Sequence, residues 1–389
     1  MPVYADPTDG LAVPVDLLQT WTAGLVESLG TPPDIAADVA EILVASDRRG
    51  IASHGTARLA NYVALIEAGV MDPVARPIED GGRPALRRFD GRNGWGHHVS
   101  RVAVDAAIES ARTLGTTTAI VHNSNHYGIA GWYALRAAAA GMIGISLSNT
   151  SPLVAPTRAR EPLIGTNPIA IAAPAGHFGA FCLDMATSTI PRGRIEVAAR
   201  RGELLPVGWA IDAEGWAAAT PEAALGGALH PLGGEESTGG HKGYGLALAV
   251  DLLTGVLGGA AFGPNIVGLF STEAESNLGQ AFIVIDPAAL GDADGFEARL
   301  EGYLDQLVAA PTRPDAPGRV LIHGEPEAEA ERLAAERGIV IDAVHARSLA
   351  ELGTRFGVPF DAAGARPVAP ARPDGASAPP SRPASRSRG

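Results

Sequence analysis

One cysteine in 389 residues, Cys182, leaves no intrachain disulfide and no zinc site built from several cysteines. It sits in the apolar run Ala-Phe-Cys-Leu and reads as core. No apolar run reaches the roughly 20 residues needed to span a bilayer, and the start Met-Pro-Val-Tyr-Ala-Asp-Pro lacks the basic and apolar regions of a signal peptide. A cytoplasmic protein with no membrane partner is therefore the expectation. Positive charge is also scarce: 30 Lys and Arg against 43 Asp and Glu give a formal net charge of −13, which argues against nucleic acid or anionic lipid and for small molecules. The chain contains neither the Gly-x-Gly-x-x-Gly fingerprint of a Rossmann domain nor a Walker A loop, and no solenoid repeat.

What is present is a change of rhythm near residue 99. Before it, apolar residues at helical spacing predict helices over 16–29 and, after the Thr31-Pro32-Pro33-Asp34 start signal, over the 30s and 40s. A third follows in the 50s, and an irregular exit near 69–73. After it, helices and strands alternate: helices over 99–114, 129–140, 194–201, 243–257 and 296–308, and strands over 116–121, 142–147, 169–173, 180–184 and 281–286. This is α/β, one mixed sheet covered by helices. Residues 326–337, 339–343 and 348–357 read helix, strand, helix and can pack back on the N-terminal helices. The expected domains are thus a discontinuous, mainly helical unit (1–95 with 326–361), an α/β unit (96–325), and a disordered Pro/Ala/Ser/Arg tail over 362–389.

The stretch Gly-Ile-Ala-Ser-His-Gly-Thr-Ala-Arg-Leu-Ala-Asn-Tyr at 50–62 carries the densest chemistry. With Ser53 as N-cap of one helix, His54, Arg58 and Tyr62 are spaced by four and share a side. A histidine exchanges protons near neutral pH, a neighbouring hydroxyl orients it, and a guanidinium grips a carboxylate in bidentate fashion. The same spacing also fits an ordinary surface helix. A second cluster, Asn125-His126-Tyr127-Gly128, falls between a strand and a helix, where α/β sheets bind ligands and a helix start offers N–H groups to phosphate; it also reads as a plain turn. Gly165-Thr166-Asn167-Pro168, Asp184-Met185-Ala186-Thr187-Ser188 and Lys242-Gly243-Tyr244-Gly245-Leu246 lie at further strand ends and helix starts, Lys242 being suited to neutralise a phosphate. A metal-dependent hydrolase or lyase using His122, His126 and Asp184 is the alternative from another class, though no third ligand stands at zinc-site spacing near the two histidines.

Taken in order over residues 11–360, these five motifs resemble the type 2 malate/L-lactate dehydrogenases, a family that includes ureidoglycolate and sulfolactate dehydrogenases and the piperideine-2-carboxylate reductases. The resemblance implies an NAD- or NADP-dependent oxidoreductase with a non-Rossmann mixed sheet, acting as a homodimer on a small 2-hydroxy or 2-oxo acid. Carried over by motif, Ser53 and His54 are the proton-transfer pair, with Arg58, Tyr62, Thr166, Arg192 and Gly193 toward the carboxylate substrate. His126, Tyr127, Gly128, Ile129, Ala130, Asp184, Met185, Ala186, Glu235, Glu236, Lys242, Gly324 and Glu325 are toward the cofactor, and no metal is implied. Two positions depart from the family pattern: His323 stands where proline is usual, and Arg194 where the imine reductases carry a relay aspartate. Arg194 cannot accept a proton, which favours a hydroxyacid dehydrogenase over a cyclic-imine reductase.

Overall fold

The computed structural model describes residues 10–291, 293–360 and 365–367. Strand β1 (Gly10–Val13) leads into helices α1 (Val15–Ser28) and α2 (Pro33–Arg48). Leu18, Trp21, Leu25 and Val26 on α1 meet Ile35, Val39 and Leu43 on α2, all buried and all recurring at three or four residues. The single helix expected from Ser53 does not form. Two 3-10 turns, Ala52–His54 and Thr56–Arg58, flank Gly55, whose φ of −95° and ψ of −149° break the helical path. Only then does α3 (Leu59–Glu67) begin, so Ser53 is not its N-cap.

Residues 78–90, on the helical side of the expected division at 95, form an unanticipated hairpin of β2 (Ile78–Arg83) and β3 (Leu86–Asp90). Helix α4 (Gly96–Leu114), β4 (Thr116–Ser124), α5 (Ala130–Ala139), β5 (Ile143–Ser148), β6 (Ile169–Pro174) and β7 (Ala180–Met185) follow. Next come α6 (Arg192–Arg201), β8 (Ala210–Ile211), α7 (Pro221–Gly226), β9 (Ala228–Leu229) and α8 (Gly240–Asp251), the last running into a π-turn over Leu252–Val256. The chain closes with β10 (Leu278–Ile285), α9 (Ala293–Val308), α10 (Glu325–Arg337), β11 (Ile339–Asp342), α11 (Ala343–Arg355) and β12 (Arg366–Pro367).

The main sheet has the order β2-β3-β4-β10-β5-β6-β7. Only β3 and β4 pair in parallel; every other neighbour is antiparallel. A Rossmann sheet is parallel throughout, so this one is of a different kind. Alternation along β4 sends Ala119 and Val121 toward α4 and α5, where they meet Val99, Val104 and Tyr133, and sends Ile120 to the other face against Val250 of α8. A smaller core of Val154, Ile164, Ile195, Leu205 and Leu229 gathers α6, α7 and the β8–β9 pair.

The helical core joins the two ends of the chain. β1 lies between β11 and β12, antiparallel to both. Ile339, Ile341, Leu349 and Leu352 complete the core begun by α1 and α2. Of the tail expected over 362–389, Arg366 and Pro367 are paired with Ala12 and Leu11, against expectation, because β1 still has a free edge to hydrogen-bond; 361–364 and 368–389 lie outside the described residues. No helix among the described residues is long and apolar enough to cross a membrane.

Trp21 fastens this junction. Its Nε1 donates to the Val358 carbonyl at 2.9 Å, and its ring meets Phe360 edge-on at 4.9 Å. Trp21→Ala is expected to cost about 3–5 kcal/mol, read by denaturant unfolding, and to make residues 338–360 the first site of limited proteolysis.

Candidate active site

The break at Gly55 places the polar residues of the 50s better than one helix would. Ser53 Oγ lies 2.9 Å from His54 Nδ1. Arg58, across the break, donates Nε–H back to the Ser53 carbonyl at 2.6 Å. Its terminal nitrogens remain for a planar anion, and its guanidinium sits 5.1 Å from the Phe270 ring centroid. Tyr62, fully buried one turn into α3, holds its hydroxyl 2.6 Å from His126 Nδ1 and 3.4 Å from His97 Nε2. The His54 and His126 rings stack at 5.6 Å. Ser53, His54, Arg58, Tyr62 and His126 therefore converge, joined by His97 and Phe270, for which the sequence carries no motif.

Burial controls the charge here. It is the main cause that pushes His54 down to about 4, with the Arg58 charge second. Burial alone takes His97 to about 3. His126 falls well below the usual range, first through burial and then through His54, His97 and Arg58. Burial also raises the Tyr62 phenol, so it keeps its proton. The Gly128 N–H points at His126 Nδ1 from 3.4 Å, which marks that nitrogen as an acceptor and makes Tyr62 the donor to it. At neutral pH the cluster is three neutral imidazoles beside one fixed cation.

The same loop leads to a second group. Gly131, at the start of α5, donates its N–H to Asp184 Oδ2 at 2.8 Å. A Cβ at Gly131 would stand 2.7 Å from that oxygen, so only glycine permits the contact. Asp184 reaches solvent at the end of β7, yet the surrounding protein raises its carboxyl to about 6 against the lowering by Gly131. Segment 320–326 runs alongside, the His323 carbonyl accepting from Cys182 N at 3.0 Å. The start of α5, the end of β7 and the segment before α10 thus meet around Asp184 and Cys182, with Gly128, Ala130 and Gly324 buried there and the half-buried Met185 and Ala186 at and just past the end of β7. Tyr127 and Ile129 are buried too, the Tyr127 ring against Tyr133.

The remaining expected residues lie elsewhere or are otherwise engaged. The Thr166 N–H donates to Thr150 Oγ1 at 2.9 Å and its carbonyl accepts from Thr187 N at 2.8 Å, next to the 230s loop, where Leu232 N donates to the Thr187 carbonyl. Glu235 lies 3.3 Å from His230, Glu236 pairs with Arg158 at 2.7 Å, and Lys242 is exposed at the start of α8. Glu325 pairs with Arg319 and accepts from Ile322 N at 3.1 Å, so it is engaged by the segment that leads into its own helix. Arg192 pairs with Glu196 at 3.4 Å, one turn along α6, Gly193 is half-buried beside it, and Arg194 is exposed. His122 pairs with Asp80 at 3.0 Å on the opposite side of β4 from the helix-covered Val121, while His126 is held by Tyr62. Among the described residues no group of three metal-ligating side chains converges, so the trio of His122, His126 and Asp184 is not assembled.

The profile of the malate/L-lactate dehydrogenase family matches residues 13–350. The chain belongs to that family. It is 41% identical over 352 residues to malate dehydrogenase of Pyrococcus horikoshii, covering 90% of this chain and 96% of that one. The solved structure of that enzyme superposes with a TM-score of 0.84 at 38% identity, over 91% of this chain and 98% of the other. Sulfolactate dehydrogenase of Methanocaldococcus jannaschii follows at a TM-score of 0.83 and 32% identity, over 90% and 98%. The family's fold also includes Δ1-piperideine-2-carboxylate reductase of Pseudomonas syringae, with a TM-score of 0.78 and 31% identity over 88% and 99%. These relatives are oxidoreductases, and the mixed sheet seen here is the fold they share.

The buried histidines dictate an acid sensitivity. His97 is held near 3 in the folded chain against an ordinary 6.5. Below pH 6.5 the unfolded chain binds a proton that the folded chain refuses, so stability falls as pH drops from 6.5 toward 3. Between pH 6.5 and pH 5 the expected loss is about 2 kcal/mol from His97 alone. His97→Phe should flatten that slope in urea unfolding measured at the two pH values.

Proposed function

We propose that the protein is an NAD(P)-dependent dehydrogenase of small 2-hydroxy acids, with His54 as general acid and base and Arg58 as the clamp on the substrate carboxylate. The observation that carries this reading is the neutral His54, bonded to Ser53 at Nδ1 and set one short turn from a guanidinium with free terminal nitrogens. The junction at Asp184 suits a dinucleotide. The start of α5 supplies N–H groups, and the exposed carboxylate accepts from hydroxyl or amide donors. When bound there, the nicotinamide would supply or take the hydride.

Arg58 fixes the carboxylate and so the orientation of the neighbouring carbinol carbon. His54 presents Nε2 to the substrate hydroxyl and accepts its proton as that carbon is oxidised. In the reverse direction the same nitrogen returns a proton to the developing alkoxide. A serine hydroxyl both donates and accepts, so Ser53 supports either His54 tautomer. Tyr62 and His126 wall the site and keep water from competing for His54. Malate, lactate and sulfolactate all carry a hydroxyl beside a carboxylate and fit this arrangement. The cyclic-imine reading has relatives in its favour but lacks the relay carboxylate, since Arg194 is exposed on α6.

A homodimer is part of the same reading. Leu248, Leu252 and Val256 follow one another at intervals of four along α8 and the π-turn and are each about half exposed, with Leu246, Leu257 and Phe262 beside them. An apolar strip of this kind is normally covered. Leu252→Glu is expected to yield monomers by sedimentation velocity.

Loss of NADH and NADPH absorbance with oxaloacetate, pyruvate, 3-sulfopyruvate and piperideine-2-carboxylate identifies the substrate. His54→Ala should lower turnover by roughly 100-fold or more while cofactor affinity is kept; near-normal turnover would remove His54 from the chemistry. Arg58→Ala should raise KM by about 100-fold, as expected for a lost charge-assisted pair of hydrogen bonds, and an unchanged KM would count against the clamp.

A further inference from the structure

Beneath the active-site loop lies a buried polar chain that neither motif nor family description explains. Asp47, the penultimate residue of α2 and 6% exposed, accepts at Oδ2 from both the Thr56 N–H at 2.9 Å and the Thr56 hydroxyl at 2.6 Å. Thr56 Oγ1 also lies 3.0 Å from His345 Nε2, on a residue 289 positions away in α11. With the hydroxyl proton directed at Asp47, the oxygen can only accept from His345, so Nε2 carries a proton. His345 is fixed in turn by its backbone N–H, which donates to the α11 cap Asp342 at 2.7 Å. The chain therefore runs from His345 through Thr56 to Asp47, crossing three separate segments.

Its location gives it a role. Thr56 begins the second 3-10 turn, directly after the break; Ser53 and His54 precede that break and Arg58 follows it. Fixing both the N–H and the hydroxyl of Thr56 fixes the angle between the proton-transfer pair and the guanidinium. Gly55 enforces the same geometry: a Cβ there would stand 1.9 Å from Asp47 Oδ1, so only glycine lets the loop settle on the carboxylate. That oxygen is buried and has no hydrogen-bond partner, which is a cost without a purely structural return. Burial raises the Asp47 carboxyl, while His345 first and then Thr56 oppose it, so the pairing with His345 favours the carboxylate that Thr56 needs as acceptor.

We propose that Asp47, Thr56 and His345 form a positioning relay that sets His54 against Arg58 and makes the C-terminal helix α11 part of the active-site scaffold. The inference rests on the proposed roles of His54 and Arg58, and it predicts coupled effects that a packing role would not produce. Thr56→Val keeps the shape and removes the hydroxyl. It should lower kcat about 10-fold and raise KM about 10-fold together, with cofactor affinity held near that of the parent and Tm lowered only by the few degrees that the lost buried hydrogen bonds cost. Thr56→Ser, which restores the hydroxyl, should recover both constants. His345→Phe should reproduce the Thr56→Val defect, and the double variant should be no worse than either single one.

A readout independent of turnover is the 1H–15N imidazole spectrum of His54 in the full chain. Thr56→Val should change its tautomer balance and Thr56→Ser should restore it. If Thr56→Val matches the parent in kcat, KM and imidazole spectrum, the relay is wrong. The same holds if its losses follow a larger fall in Tm and a loss of cofactor affinity instead. If the parent chain reduces none of the 2-oxo acids, the dehydrogenase reading fails, and the imidazole spectra still decide whether Thr56 positions His54.

Discussion

At the candidate site a hydrogen bond from the Tyr62 hydroxyl to His126 Nδ1 at 2.6 Å joins two separately built parts of the protein, which His98 and Arg101 of α4 also link to Asp38 and Glu41 of α2. Tyr62 belongs to the helical unit made from the chain's ends; His126 belongs to the loop leaving the central strand β4. Ser53, His54 and Arg58 hang on the first part, and the Gly131–Asp184 junction on the second. The bond lies among neutral rings, and breaking it leaves each partner only a longer contact at 3.4 Å, Tyr62 with His97 and His126 with the Gly128 N–H. The active site is thus a seam, and its precision depends on how rigidly each side is backed.

The backing is unequal. On the sheet side, α4 and α5 press on a continuous apolar face, and the loop after β4 is pinned by Asn125, whose amide donates to Asn93 and Gly94 carbonyls at about 3 Å. On the helical side Ser53, His54 and Arg58 sit on two short 3-10 turns, which have little internal stability. Their order must come from beneath, and the dense polar contacts around Thr56 are where it comes from. This arrangement lets the reactive residues occupy a backbone shape that no regular helix supplies.

Much of this was legible in the sequence, and the limits have physical causes. Amphipathic spacing located α1 and α2, and the alternation after residue 99 revealed the sheet, because both signals are written locally. The hairpin over 78–90 was not legible: β2 is exposed throughout and contains two glycines, so it has no apolar alternation to read. The 50s stretch marked residues that do converge, but not by the path expected. Spacing by four suggested one helix, whereas Gly55 breaks it and the side chains converge by a different path. His97 and His345 carry no local mark, since their partners are 35 and 289 residues away. A carboxylate at Asp47 among Ile42, Leu43, Val44 and Ser46, all buried, was the one hint that a polar contact lay below the loop.

The placement of β1 has a consequence for how the chain matures. Both of its edges are filled by strands from the far end of the sequence, β11 on one side and β12 on the other. During synthesis the first helices emerge with their apolar faces uncovered and wait while the sheet domain between them is completed. The central sheet is itself completed late, because its middle strand β10 is made long after the β4 and β5 that flank it, and the helical unit closes later still, when residues 339–367 arrive. The loop over 52–58 thus lacks its contact with His345 until α11 has been made.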